Sequence, residues 1–358
     1  MNRKKGTKTI AIDIREAVHP EPAGKGIYNL KTTQELIKNT DIKWVLLSDR
    51  QTKIFKSSNN VKVVVIKEKG LKWHFAAAKF VKQNKVDHYF APTSYITPKL
   101  LGSTPYTVVV HDLISFMFPK DHPFKPKTIE KIFLPLILKK AASIVTVSEN
   151  TKEDLLHLFP KTNEDKISVS YNGVNLKEFK KSDKKDKTIF SVGTLIPRKN
   201  IITLVRAFNL IHKDIDHTLL IGGGNGAAAE EIKKYIKDHG LEKRIKMLGY
   251  ISNDDLKDYY SKAEIFVYPS LYEGFGIPIL EAFASGCPVV CSNNSSIPEV
   301  VGECAVMFRS LDHEDLAKKM LYLLKSKEDQ EIYVNNGLDR VKQFTWSKVG
   351  KRLLKVLK

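Results

Sequence analysis

The sequence is short of sulfur, of arginine and of long apolar runs. It has three cysteines, Cys287, Cys291 and Cys304, and no CxxC pair. That excludes a disulfide-stapled scaffold and a cysteine-based zinc framework, and it fits thiols kept reduced. No stretch approaches the roughly 20 apolar residues of a membrane-spanning helix. The basic N-terminus, MNRKKGTKTIAIDIRE, has an apolar run of only residues 10–12 before Asp13, too short for a signal-peptide core. A cytoplasmic protein is expected. Only nine of the 59 basic residues are Arg. Arg is the side chain best suited to bidentate reading of guanine edges and phosphates, so no nucleic-acid partner is expected.

What is present is length and positive charge. A chain of 358 residues is long for one packed core and natural for two domains. A composition of 42% hydrophobic and 28% charged residues is that of a globular protein. The formal charge is +19, and it is uneven. Residues 1–170 carry 29 Lys and Arg against 16 Asp and Glu, and the rest carry 30 against 24. A Lys-dominated excess reads as solvation or as diffuse attraction to an anionic surface.

Short β-rich runs alternate with amphipathic stretches, which predicts doubly wound α/β architecture. Strands are expected at 9–14, 43–47, 61–66, 86–90, 106–111 and 143–147, with helices at 27–38, 73–83 and 127–140. Residues 168–187 are polar and turn-rich and read as a linker. A second series follows, with strands at 188–192, 218–221, 245–248, 265–268 and 288–291. Helices are expected at 200–212, 227–239, 254–261 and 278–284, then almost continuously from 312. Ligands of open parallel sheets bind at the carboxyl ends of the strands, so two such sheets place the natural site in a cleft between them.

Several motifs lie just after strands. GTLIPRKN (193–200) follows 188–192. Asn200 is expected to cap the next helix, which puts Arg198 and Lys199 at its positive end, suited to a diphosphate. In SLYEGFGIPILEA (270–282), Gly274 and Gly276 let backbone N–H groups approach oxyanions. Pro278 suits a first helical turn. Glu273 in the loop and Glu281 on the helix are separated by seven residues, and carboxylates accept paired hydrogen bonds from sugar diols. His111-Asp112 ends the strand 106–111, where a reacting group would sit. Gly24-Lys25-Gly26 resembles a phosphate-approaching turn. GGGNG (222–226) fits a phosphate loop or a plain flexible turn equally well.

In combination, EGFGIPILE, GTLIPRKN, YNGVN, VSENTKEDL, HDL and ASGCPVVCS resemble the retaining glycosyltransferases of GT-B fold, specifically glycosyltransferase family 4. The likeness runs from Ile12 to about Trp346. It implies two Rossmann-like domains facing across a cleft: an acceptor-binding domain of residues 1–170 and a nucleotide-sugar-binding domain of 171–344. Residues 345–358 would form a helix that returns to the first domain. It implies a hexose moved from a nucleotide-diphosphate sugar to a glycan or lipid-linked acceptor, with no cofactor beyond that donor.

The resemblance also implies roles. Arg198 and Lys199 would bind the diphosphate, beside Gly193 of the same motif. Glu281 would hold the ribose. Glu273 and His111 would contact the transferred sugar. The amides of Phe275, Gly276 and Ile277 would hold sugar and phosphate. Gly26 would allow approach to the diphosphate, and Tyr250 and Ile251 would read the base. AGKGIYNL departs from the family's glycine-rich segment, with Lys25 between the glycines and Asn29 after Tyr28. The sole Asp-x-Asp, Asp214-Ile215-Asp216, precedes a strand, so no essential divalent metal is expected.

A nucleotide-sugar epimerase on the same scaffold and a non-catalytic basic protein binding nucleic acid or membrane remain competing readings. The stretch 118–140 mixes bases with apolar residues. It reads either as a core helix or as a contact to an anionic membrane surface.

Overall fold

The computed structural model describes residues 7–22, 24–121 and 124–358. The expectations that touch residues 1–6, Ala23 and His122-Pro123 lie outside the described residues. The chain divides into two compact units. One takes in the chain up to Asn172 together with Trp346–Lys358; the other is Gly173–Thr345.

In the first unit, β1 (Thr9–Asp13), β2 (Lys43–Ser48), β3 (Val61–Val65), β4 (His88–Ala91), β5 (Tyr106–Val110), β6 (Ser143–Thr146) and β7 (Ile167–Val169) form a sheet in the order β3-β2-β1-β4-β5-β6-β7. All its pairings are parallel. A parallel sheet is covered on both faces, which is why strands such as YTVVV of β5 are apolar and buried throughout. β7 is three residues at the sheet edge, too short for a periodic signal. It takes Ser168 and Val169 out of the expected linker, which starts after them. The helix Glu149–Leu158, capped by the Ser148 side chain at Thr151 N–H, is also an element beyond those expected.

The helix Trp346–Leu357 belongs to this unit and packs on the helix Gly24–Leu36. Gly350 permits the close crossing: a Cβ there would lie 2.6 Å from the Cβ of Glu35. The rings of Trp346 and Tyr28 meet near edge-on at 6.1 Å, and Lys8 Nζ donates to the Leu357 carbonyl at 2.7 Å. Gly24-Lys25-Gly26 is the first turn of a helix rather than a free turn. The close approach at Gly26 is internal, since a Cβ there would sit 2.7 Å from the Glu16 carbonyl oxygen.

In the second unit, β8 (Thr188–Val192), β9 (Thr218–Gly222), β10 (Ile245–Gly249), β11 (Ile265–Tyr268), β12 (Val289–Ser292) and β13 (Val306–Phe308) form a parallel sheet in the order β10-β9-β8-β11-β12-β13. The short edge strand β13 is again one that composition does not announce. The helix Ile201–Ile211 turns Leu204, Val205 and Phe208 into a core shared with Leu219 and Ile221 of β9 and with Leu316 and Met320 of the helix His313–Lys325. Among the described residues no helix is long and apolar enough to cross a membrane.

Both sheets are doubly wound, and each reverses its strand order at one place: between β1 and β4, and between β8 and β11. In open parallel sheets such a reversal is the usual seat for a ligand.

Candidate active site

The loops after β8 and β11 meet at the second unit's reversal point. Pro197–Lys199 forms one turn of 3-10 helix. Arg198 and Lys199 therefore precede the helix Ile201–Ile211 rather than open it. Asn200 does not cap as expected. Its backbone is left-handed (φ 54°), and its side chain makes no cap bond. Instead its Nδ2 donates to the Pro269 carbonyl at 3.1 Å, and its Oδ1 accepts from Thr203 at 2.7 Å. Asn200 ties the two loops together.

Both cations converge on Glu273. Lys199 Nζ lies 2.5 Å from Oε1, and Arg198 Nη1 lies 3.3 Å from Oε2. Arg198 Nη1 also donates to the Tyr272 carbonyl at 2.5 Å, and Lys199 Nζ donates to the Tyr268 hydroxyl at 3.2 Å. The stem of Lys199 lies over Gly193, where a Cβ would come within 3.3 Å of its Cδ. Gly193 thus leaves room for the lysine to reach across. Burial opposes ionisation of Glu273, but the charges of Lys199 and Arg198 outweigh it and hold the carboxyl below its ordinary range. Two cations thus share one carboxylate.

The loop 270–276 is held by serines. Ser295 Oγ donates to the Glu273 carbonyl at 2.6 Å and accepts from the Glu273 N–H at 3.2 Å. Ser296 Oγ lies 3.0 Å from the Glu273 carbonyl oxygen and 2.8 Å from that of Phe275. The carbonyls are thereby tied to the protein. Gly276, in the left-handed region at φ 118°, starts the helix Ile277–Ala284, with Pro278 in its first turn. The leading N–H groups of a helix have no intrahelical partner and suit an anion.

Glu281 sits on that helix with its Oε2 accepting from the Tyr260 hydroxyl at 3.1 Å. Its environment is the reverse of that of Glu273. Burial pushes its carboxyl up to about 7, and the Tyr260 hydrogen bond offsets this only in part. Tyr250 and Ile251 follow β10; Tyr250 is 83% exposed. The glycines 222–226 divide by role. Cβ atoms at Gly223 and Gly226 would strike the carbonyl oxygens of Gly193 and Leu195 at 2.1 and 2.6 Å. They let the loops after β8 and β9 pack together, while Gly224 has open space around it.

In the first unit, His111 follows β5. Its Nε2 lies 2.7 Å from the Pro92 carbonyl oxygen, and the Tyr28 ring stands edge-on at 4.7 Å. Burial, then the charge of Lys25, pushes its pKa down to about 4. The ring is neutral near pH 7. A carbonyl only accepts, so Nε2 keeps the proton and Nδ1 is an acceptor. Lys25 Nζ pairs with Asp112 at 3.4 Å. At the reversal point itself stands a pair that motif reading misses. Arg15 bonds Asp13 through two nitrogens, at 3.0 and 2.7 Å. Its guanidinium lies 3.6 Å above the Trp73 ring centroid, and His74 Nε2 is 3.5 Å away. Tyr268, Tyr260, Ser295 and Ser296 are likewise absent from the sequence reading. Tyr268 ends β11 and Ser295 and Ser296 follow β12, whereas Tyr260 lies on the helix Asn253–Lys262 and carries no such signal.

Residues 175–340 match the family described as Glycosyl transferases group 1, and residues 61–178 match Glycosyltransferase Family 4. The O-antigen chain mannosyltransferase B of Escherichia coli is 30% identical over 272 residues, covering 72% of this chain and 70% of that one. Sucrose-phosphate synthase of Thermosynechococcus elongatus has a TM-score of 0.78 at 18% identity, over 98% of each chain. HepE of Anabaena, solved in complex with UDP and glucose, has a TM-score of 0.76 at 16% identity, over 98% of this chain and 99% of that one. At such identities the two structures speak to the fold, which is GT-B. The mannosyltransferase speaks to descent, and with the two family matches it places this chain among the group 1, family 4 glycosyltransferases.

Proposed function

We propose that the chain is a retaining, metal-independent glycosyltransferase of cell-surface polysaccharide or glycolipid synthesis. It moves a hexose from a nucleotide-diphosphate sugar to a glycan or lipid-linked acceptor. The observation that carries this is the convergence of Arg198 and Lys199 on Glu273 at the β8/β11 reversal. Breaking the bond between the sugar and the diphosphate develops negative charge on the phosphate and positive charge on the anomeric carbon. Two cations and the N-terminus of the helix Ile277–Ala284 stabilise the first, supplying the charge that a metal gives elsewhere. The carboxylate of Glu273 takes hydrogen bonds from the sugar hydroxyls.

Glu281 binds the ribose diol, and Tyr250 and Ile251 flank the base. The mannosyltransferase relative favours a mannose-like sugar and a polysaccharide acceptor. In the first unit, neutral His111 offers Nδ1 to a sugar hydroxyl. The partner of the basic excess is an anionic membrane surface carrying a lipid-linked acceptor, which puts the protein at the cytoplasmic face of the membrane. Transfer of label from a panel of nucleotide sugars, with Glu273→Ala as control, tests the reading. Transfer is expected from one donor and lost in the variant. Hydrolysis or epimerisation without transfer, or full activity of Glu273→Ala, overturns it.

A further inference from the structure

Two arginine–aspartate forks of one design stand at the carboxyl ends of β1 and β2, neighbouring strands of the first sheet. Asp13 ends β1, in register with Leu47, and Asp49-Arg50 directly follow β2. Arg15 gives Nε and Nη2 to the two Asp13 oxygens at 3.0 and 2.7 Å. Arg50 gives the same two nitrogens to Asp49 at 2.8 and 3.0 Å. In both forks Nη1 is left without a partner among the described residues. The two arginine side chains are 19% and 39% exposed, so solutes reach them. Asp13 is sealed beneath, whereas Asp49 is partly open.

Both forks are braced. Arg15 lies on the Trp73 ring and beside His74, whose Nδ1 is 2.7 Å from the Thr97 hydroxyl. Trp73 Nε1 donates to the Ser48 carbonyl at 3.3 Å. The Ser48 hydroxyl accepts from the Arg50 N–H at 3.2 Å and donates to the Arg50 carbonyl at 2.8 Å. One chain of contacts thus joins the first fork to the second. The Arg50 hydrogen bond, then the charges of Arg50 and Arg15, hold the Asp49 carboxyl below its ordinary range. An exposed ion pair adds little to stability, so the second fork is not explained as a staple.

Their charge says what fits. Two cations meet two carboxylates, and exposed Glu16 acts on Arg50 as well, so a phosphate gains nothing there. A hydroxyl both accepts from an N–H and donates to a carboxylate oxygen. Adjacent hydroxyls of a hexose therefore match the two Nη1 donors and the spare lone pairs of Asp49, and braced donors bind at small entropic cost. We infer that the forks Arg15–Asp13 and Arg50–Asp49 bind an uncharged sugar, the terminal residue of the acceptor glycan. That this sugar is an acceptor rests on the transferase reading above; that the forks bind it does not.

Saturation-transfer NMR on the full chain tests the site without turnover. The probes are the methyl α-glycosides of mannose, glucose, galactose and N-acetylglucosamine, set against mannose 6-phosphate. At least one glycoside should receive saturation, and more than the phosphate does. Arg50→Gln should weaken its apparent affinity about tenfold or more. Arg15→Lys, which keeps a charge beside Asp13 but not the fork, should do the same. Arg309→Gln, exposed on the second unit, should change nothing. The unfolding temperature of Arg50→Gln should stay level. In label transfer to the bound glycoside, Arg50→Gln should raise the acceptor KM and leave kcat and the donor KM alone. Saturation of no glycoside, or saturation that both fork variants retain, overturns the site. Preference for mannose 6-phosphate makes the forks an anion site and overturns the inference. Fork-dependent binding with no transfer from any donor leaves the sugar site standing and overturns the transferase reading.

Discussion

The two sheets share one plan, yet their reversal points are built to opposite electrostatic ends. Between β1 and β4, one cation meets one carboxylate. Arg15 forks Asp13 and stacks on Trp73, beside His74, whose pKa burial pushes down to about 4. Charge there is cancelled. Between β8 and β11, two cations share Glu273. In the proposed reading the second arrangement meets a diphosphate, whereas sugar hydroxyls need only hydrogen-bonding groups. Equivalent places in the fold thus carry different charge ratios set by two or three side chains, which is why fold alone leaves function open.

The sharpest way to break that comparison is Arg198→Ala. Transfer should fall about 100-fold or more, the scale of losing one preorganised donor to developing charge, and nucleotide affinity should fall with it. Single-turnover label transfer and calorimetry measure the two. The matching change in the first unit, Arg15→Ala, should act on folding instead. It strands the buried Asp13 carboxylate, a loss of about 3–5 kcal/mol in denaturant unfolding, with nucleotide affinity unchanged in the folded fraction. Equal loss of nucleotide affinity in both variants would erase the distinction between the two reversal points.

Glu281 sharpens it further, because the same short motif holds one glutamate down and pushes the other up. With a carboxyl near 7, donor affinity should decline as pH falls from 8 to 6, since only the ionised form accepts both diol hydrogen bonds. Glu281→Gln should flatten that profile. For stability the sign is opposite. A carboxyl raised in the folded state binds its proton more tightly there than in the unfolded chain, so its contribution weakens as pH rises from the unfolded value toward about 7. Glu281→Gln should therefore be the more stable protein at pH 8, read by thermal unfolding without donor. The smallest effect is expected at Ser296→Ala. It removes one hydroxyl from two loop carbonyls and should cost about 1 kcal/mol in unfolding with a severalfold rise in donor KM.

The repeating elements were legible because their signal is local. The strands expected at 188–192 and 265–268 coincide with β8 and β11 end to end, since an apolar run bounded by turn residues is enough to define a buried parallel strand. The three-residue edge strands β7 and β13 carry no period to read. Asn200 misled because a capping side chain and a loop-tying side chain are the same residue type. Only the neighbouring β11 loop turned it to the second use. The 222–226 glycines could be read as a ligand loop or a turn. The carbonyls of Gly193 and Leu195 decide for Gly223 and Gly226, and those atoms come from another loop.

Taken by itself, the sequence determined the alternation of strands and helices, the order of the motifs, and which ionisable groups fall just after strands. Those follow from periodicity and turn chemistry within a few residues. Tertiary structure alone decided how charge is spent. Lys199 and Glu273 are 74 residues apart in the chain, and Arg15 and His74 are 59 apart. Whether a carboxylate is held ionised like Glu273 or pushed toward neutrality like Glu281 depends on which cations the packing brings within a few ångströms, and at what burial.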